Sequence, residues 1–197
     1  MKIILSTRNP SKAEQIQALF VDSNVEVLTL ADMGIEGEVE EDGSTLEENA
    51  LKKALFAHSE TKTWAMADDT GLFIDFLNGE PGIKAARWAG EKAETDEITS
   101  FTLQKLEGAL NRSATFVTVV AVVTPEGRSH FFKGEVRGHL LESPRVRPQP
   151  KMPYSPIFQP EGEKLVWAEM TVEHENSISH RGKAFRLAKA FLEEQMK

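Results

Sequence analysis

The chain contains no cysteine, which excludes disulfides and thiolate metal sites. It has no apolar run near the roughly 18 to 20 residues that span a bilayer, so no membrane segment is expected. The short stretch Met1-Lys2-Ile3-Ile4-Leu5-Ser6 lacks the long apolar core and small-residue cleavage site of a secretory leader, and a cytoplasmic location is the expectation. Basic residues are in deficit: 23 Lys and Arg stand against 31 Asp and Glu, a formal net charge of −8. Non-specific nucleic-acid binding, which needs a basic face, is therefore not expected. A polyphosphate ligand remains open only through local cations, backbone N–H groups or a metal. There is no glycine-rich phosphate loop, no internal repeat and no low-complexity tract. What remains, 197 residues with 40% hydrophobic and 27% charged, suits one globular domain, 1–197, that can bury a full core.

The alternation of patterns predicts an α/β or α+β protein with a mixed sheet. Lys2 to Ser6 reads as a buried strand, Asn9-Pro10 as a helix start with Asn as the cap, and Val25 to Leu30 as a second strand. The acidic segment Gly34 to Gly43 reads as a loop. A long helix follows, with Ser44 and Glu47, or Thr45 and Glu48, as its capping box. A strand near Trp64 to Ala67 precedes an apolar segment, Leu72 to Leu77, closed by the hairpin-like turn Asn78-Gly79. Thr95-Asp96-Glu97 opens a helix reaching about Leu106. Ala114 to Thr124 and Ser129 to Val136, around Pro125-Glu126-Gly127, form the clearest strand–turn–strand unit. Leu141 to Pro160 is proline-rich and reads as irregular, and a helix carrying Ala184, Leu187, Ala188, Phe191 and Leu192 closes the chain.

Four segments carry chemistry. Asp68-Asp69-Thr70-Gly71 follows an apolar strand and reads as paired carboxylates at a strand mouth beside a glycine turn. As a plain β-turn it needs no further explanation, but repulsion between adjacent carboxylates is relieved by a divalent cation. Magnesium, which takes a few carboxylates plus waters and phosphates, suits Asp68 or Asp69 together with Glu41. Glu41 itself lies in the run Glu40-Glu41-Asp42-Gly43, which read alone is a solvated acidic loop. Ser6-Thr7-Arg8-Asn9-Pro10-Ser11-Lys12 leads a strand into a helix N-terminus, where free N–H groups attract anions. Lys12 in the first turn opposes the helix dipole by roughly 0.3–1 kcal/mol unless an anion neutralises it. Taken alone this segment favours an ordinary capped helix. Ser177-Ile178-Ser179-His180-Arg181 again sets cations at a helix start, explained either by a nearby anion or nucleobase or by exposed side chains behind a Ser179 cap.

In combination these segments resemble the inosine triphosphatase family of nucleoside-triphosphate pyrophosphatases, which remove deaminated purine nucleotides such as ITP, dITP and XTP. The resemblance runs through Thr7-Arg8-Asn9, Lys12 and Glu14, Glu41-Asp42-Gly43, Glu48-Asn49-Ala50, Ala67-Asp68-Asp69-Thr70-Gly71-Leu72, Pro81-Gly82, Ala86-Arg87-Trp88-Ala89-Gly90, Arg112, Ala114 and Phe116. It continues through Gly134, Gly138, Ala168-Glu169-Met170 and Ile178-Ser179-His180-Arg181. It implies a homodimeric α/β fold with an elongated central mixed sheet flanked by helices and a substrate cleft between two lobes. It also implies hydrolysis of a nucleoside triphosphate to monophosphate and pyrophosphate. In that frame Mg²⁺ is held by Glu41 and Asp69, and Asp69, with Asp68, orients or deprotonates water. Lys12 and the Thr7, Arg8 and Asn9 segment hold phosphate with Thr70 beside them, and His180 and Arg181 read the base.

The resemblance breaks on the base side. The family carries Phe-Gly-Tyr-Asp-Pro where this chain has Met152-Pro153-Tyr154-Ser155-Pro156, and its glycine-rich lead-in is replaced by Arg145-Val146-Arg147-Pro148-Gln149-Pro150. Met152 removes an aromatic plane, Ser155 removes a charge, and Pro153 fixes φ and deletes an N–H. The family's lysine aligns with Glu175, where a carboxylate repels a carbonyl such as purine O6 and accepts from an amino group. The expectation is a Mg²⁺-dependent pyrophosphohydrolase acting on (deoxy)nucleoside triphosphates of non-standard purines such as ITP, dITP and XTP. The alternatives are retained pyrophosphohydrolase chemistry with altered base selectivity, which these base-side changes suggest, and a catalytically silent nucleotide-binding protein. ITP and XTP as clearly best substrates would contradict altered selectivity.

Overall fold

The backbone is built on one curled, seven-stranded mixed sheet in the order β2-β1-β3-β5-β6-β7, with β4 paired beside β3. It was described from a computed structural model covering residues 1–37 and 39–197; residue 38, inside the expected acidic loop, lies outside the described residues. The strands are β1 (Lys2–Leu5), β2 (Glu26–Thr29), β3 (Ala65–Ile74), β4 (Pro81–Gly82), β5 (Ser113–Val123), β6 (Ser129–Leu140) and β7 (Phe158–Pro160). The helices are α1 (Pro10–Ala18), α2 (Leu46–Thr61), α3 (Thr95–Lys105), α4 (Val172–Ile178) and α5 (His180–Glu194). β1 runs parallel to β2 and β3, and the remaining pairs are antiparallel.

Local chemistry sets the helix ends. Asn9 Oδ1 accepts the Lys12 N–H at 3.2 Å, with Pro10 as the first helical residue. Of the two capping boxes proposed for α2, the cap is Thr45, whose hydroxyl accepts the Glu48 N–H at 3.1 Å. The returning Glu48 carboxylate reaches one residue further back and accepts the Ser44 N–H at 2.6 Å. Ser179 caps α5 by accepting from Gly182 N–H at 3.0 Å.

Strand periodicity sorts β3 between two helical layers. Met66 packs with Val120 and Val122 against Ile16 and Phe20 of the α1 segment and Ala184, Phe185 and Ala188 of α5. Ala67 packs with Ala121 and Val123 against Ala50 and Ala54 of α2 on the other face. A separate core, including Leu72, Ile74, Phe116, Tyr154, Phe158 and Trp167, fills the far end of the sheet. Glycine permits one close approach: a Cβ on Gly134 in β6 would lie 2.1 Å from the His180 carbonyl oxygen and 2.6 Å from the Ala184 nitrogen. Only a bare backbone there lets α5 lie flat on the sheet with His180 and Arg181 at its start.

Two expectations are corrected and one element is added. Asp68-Asp69-Thr70-Gly71 is not a turn at a strand mouth; it is the middle of the ten-residue β3, which joins the expected strand to the first part of the apolar segment after it, the rest of which, Asp75–Leu77, is a 3-10 turn. The pairing with β5 is continuous, Asp68↔Val120 through Gly71↔Val117, and this ladder overrides the turn propensity of the four residues. The irregular reading of Leu141 to Pro160 fails at its end, where Phe158–Pro160 add to β6. A helix, α4, also precedes α5, capped by the Thr171 hydroxyl. No helix among the described residues is long and apolar enough to cross a membrane.

Candidate active site

Along one edge of β3 there is a gap. β1 pairs as far as Leu5↔Met66, with Ser6 N–H donating to the Met66 carbonyl at 2.8 Å, and β4 resumes only at Leu72↔Gly82. Between them, the described residues place no strand beside Asp68 to Gly71. A cleft opens at this gap, and side chains from both faces of the sheet reach it around the exposed edge.

Because Asp68 and Asp69 are neighbours in a strand, they point to opposite faces. Both are buried, at 2% and 6% exposure, yet their surroundings differ. Asp68 Oδ2 lies 3.1 Å from Lys12 Nζ and 3.5 Å from Arg181 Nε, and accepts from the Thr70 hydroxyl at 3.4 Å. Burial pushes its carboxyl up, but the Lys12, Arg181 and Lys53 cations outweigh that and hold it well below the ordinary carboxylate range. It is thus a fixed anion and a weak base. Asp69 faces α2, where it accepts from Asn49 Nδ2 at 3.1 Å and meets Lys53 Nζ at 3.3 Å. Burial, with Glu41 repulsion added, lifts its pKa above the ordinary value despite Lys53. That environment suits a group that takes a proton. The paired reading gives way to two carboxylates with separate partners.

Lys53 Nζ also contacts Glu41 Oε1 at 3.0 Å, so one ammonium bridges the two carboxylates proposed as metal ligands. Burial works against its charge, but Asp69 and Glu41 raise its pKa above that of an ordinary lysine. The Glu41 backbone is anchored from across the cleft by Arg87, which donates to its carbonyl at 2.8 Å. Lys12 is under opposite pressure. Burial lowers its pKa, Asp68 resists, and repulsion from Arg181 and Lys53 adds to the lowering. Three cations converging on two buried carboxylates are an anion site in electrostatic terms.

The cleft has two connected parts. A groove of about 330 Å³ is lined by Thr7, Arg8, Asn9, Lys12, Lys53 and Asp68. A cavity of about 200 Å³ shares Asn9, Lys12, Glu41 and Lys53 with it and continues past Asp69 and Thr70 to Phe116, Gln149, Met152–Ser155, Trp167, Glu175, His180 and Arg181. All the sequence-predicted site residues therefore line one cleft, though not all in the expected way. Arg8 turns to the loop, donating to the Ile35 carbonyl at 3.3 Å and to the Gly37 carbonyl. The Thr7 hydroxyl accepts the Asn9 N–H at 3.3 Å. Tyr154 donates its hydroxyl to the Ala85 carbonyl at 2.8 Å, and burial raises its pKa far above the ordinary tyrosine value. The Ser155 hydroxyl is consumed within its own loop, donating to Met152 and accepting from Gln149 N–H. Tyr154 and Ser155 thus shape the cavity rather than offer free polar groups to it.

His180 and Arg181 are buried, which removes the reading of exposed cations behind a cap. The His180 ring stacks on Phe116 at 4.7 Å and 12°, and burial, with Arg181 adding to it, holds it neutral. Arg181 spans Asp68 and the Gln15 side-chain oxygen, the latter at 2.6 Å. Lys53, Gln15, Gln149 and Trp167 were not foreseen. Lys53 alone had a sequence signal: it lies four residues after Asn49 in α2, on the face that packs against β3.

An α/β protein with a cation-lined cleft beside a broken sheet edge has the features of a hydrolase of phosphorylated small molecules, and comparison with known proteins names the family. The chain belongs to the Ham1 family, whose profile matches residues 3–191. A dITP/XTP pyrophosphatase of Thermoanaerobacter pseudethanolicus is 41% identical over 98% of this chain and 96% of its own length. One from Geobacter sulfurreducens is 38% identical over 97% and 96%. Among solved structures, a HAM1 protein from Coxiella burnetii superposes with a TM-score of 0.86 at 33% identity, covering 98% of this chain and 99% of that one. The Staphylococcus aureus Ham1 protein gives 0.84 at 33% identity, covering 99% and 100%.

Proposed function

We propose that this chain is a nucleoside-triphosphate pyrophosphatase, hydrolysing a purine nucleoside triphosphate to the monophosphate and pyrophosphate. The names of its relatives, dITP/XTP pyrophosphatases, supply the non-standard purine class from which this reading starts. The observation that carries it is the convergence of Lys12, Lys53 and Arg181 on Asp68, Asp69 and Glu41 at the open edge of β3. Lys12 and the Asn9 end of α1 take phosphate oxygens, and an incoming anion relieves the cation repulsion that depresses Lys12. Asp69, the more basic carboxylate, orients and deprotonates the attacking water, while Asp68 keeps Lys12 and Arg181 in place.

The donor set fits a divalent cation. Glu41 and Asp69 both lie within 3.3 Å of one ammonium, so a single cation can serve both. No group of three or more metal-binding side chains occurs among the described residues, which leaves the rest of a shell to water and substrate phosphate, as magnesium prefers. When bound, Mg²⁺ supplies charge neutralisation on the triphosphate and at the reacting phosphorus. The same reading, through the family resemblance, takes the protein as a cytoplasmic homodimer, a state that sedimentation of the purified protein checks.

Purified protein with Mg²⁺ is expected to release pyrophosphate, not orthophosphate, from purine triphosphates, and chelation is expected to abolish the activity. Asp69→Asn is expected to lower kcat by about 10²-fold or more while leaving the fold intact. Full activity in that variant, or orthophosphate as the product, overturns the reading.

A further inference from the structure

Counted by charge, the centre of the cleft is balanced. Lys12, Lys53 and Arg181 face Asp68, Asp69 and Glu41, three cations against three carboxylates. A triphosphate carries more negative charge than one divalent cation neutralises, so its binding calls for positive charge that is not already paired. Arg8, in the groove, is tied to the Ile35 and Gly37 carbonyls. Lys151 is exposed and, unlike Lys12 and Lys53, has no carboxylate partner among the described residues. It lines both the phosphate groove and the cavity that continues to His180 and Arg181.

The backbone beneath Lys151 is unusual for a lysine. Met152 N–H donates to the Gln149 carbonyl at 3.0 Å, closing the four-residue turn Gln149-Pro150-Lys151-Met152. Proline at the second position fixes a negative φ, and Lys151 at the third has φ 58°. That combination is a type II turn, whose third position favours glycine or asparagine because a Cβ there is crowded. Lysine therefore stands where the backbone disfavours it, and strain of this kind collects at ligand-binding sites. The turn is also braced at both ends by one hydroxyl: Ser155 Oγ accepts from Gln149 N–H at 2.9 Å and donates to the Met152 carbonyl at 2.8 Å.

We propose, resting on the pyrophosphatase reading, that Lys151 is a substrate-binding residue whose ammonium takes a phosphate oxygen of the bound triphosphate where groove and cavity meet. The residues common to both are Asn9, Lys12, Glu41, Lys53 and Lys151, and only Lys151 comes from the segment between β6 and β7. A triphosphate held by Lys12 from one side and Lys151 from the other is bridged across the cleft. Ser155 acts through the turn that presents Lys151 and is a positioning residue.

The test measures pyrophosphate release from dITP and XTP, with Mg²⁺, in three variants. Lys151→Met removes the charge and keeps the crowded Cβ, Lys151→Gly removes both, and Lys151→Arg keeps both. At low salt KM is expected to rise about tenfold in Lys151→Met and Lys151→Gly, with kcat changed by less than about twofold, and to stay within about threefold of wild type in Lys151→Arg. The gap in KM is expected to shrink as salt is added, because an exposed charge is screened. Thermal unfolding separates binding from strain: Lys151→Gly is expected to melt about 2–4 °C above wild type while binding substrate less well. A lysine with a purely structural role would not move stability and KM in opposite directions. KM within about twofold of wild type in both charge-removing variants, or a rise that salt does not diminish, overturns the inference and leaves the pyrophosphatase reading standing. A melting temperature that is not raised in Lys151→Gly overturns the strained-turn argument for it. Absence of pyrophosphate release from both substrates in the wild type overturns the pyrophosphatase reading as well.

Discussion

Asp68 and Asp69 differ by one position and by one face of a strand, and that is enough to give them different chemistry. Asp68 is locked between Lys12 and Arg181, so removing its charge leaves two cations facing each other with little solvent. Asp68→Asn is expected to destabilise the protein by about 3–5 kcal/mol near neutral pH, as measured by chemical denaturation. The sign of its pH dependence follows from the depressed pKa. The Asp68 contribution is fully present above the unfolded value of 3.8 and is lost as pH falls through that value toward the lower folded one. The stability gap between wild type and variant should therefore narrow below about pH 4. A gap that is absent at pH 7, or constant with pH, contradicts the assignment. The pair was visible in the sequence as a metal or turn feature. Its division of labour was not, because it depends on which helix covers each face of β3, and that is set by pairing far along the chain.

At the scale of elements, the site depends on how α5 is seated. Gly134→Ala places a Cβ against the His180 carbonyl, where backbone rather than a pliable side chain must give way. The expected cost is about 1–3 kcal/mol of stability. A rise in KM should accompany it, since His180 and Arg181 move with the helix; unchanged stability and KM would show that α5 is not seated by this contact. Most elements were legible from local signals. Asn9-Pro10, Thr45 and Ser179 mark helix starts because capping is chemistry between near neighbours, and β5 and β6 announce themselves through β-branched runs around Pro125-Glu126-Gly127. β3 was misread for the opposite reason: Asp-Asp-Thr-Gly is turn-rich locally, and only the long ladder with β5, together with the cations on either face, makes it a strand. α4 was missed because it is a single short helix without an apolar stripe, its start marked only by Thr171.

At the scale of the whole molecule, the cleft exists because β1 stops at Leu5 and β4 begins beside Leu72, leaving the middle of β3 without a neighbour. Family resemblance anticipated a cleft, and the site residues it named all line it, but it did not anticipate this cause, which is a property of sheet order. It also did not anticipate Lys53, which sits between the proposed metal ligands. A net charge of −8 coexists with three cations in one cleft, so the molecule as a whole repels polyanions while this site attracts them. The account's central claim is that water activated beside Asp69 attacks the α-phosphorus of a triphosphate held by Lys12 and its neighbours. Hydrolysis in ¹⁸O-labelled water, with both products analysed by mass, tests it directly. The account predicts one labelled oxygen in the nucleoside monophosphate and none in pyrophosphate; label in pyrophosphate, or in orthophosphate, would contradict it.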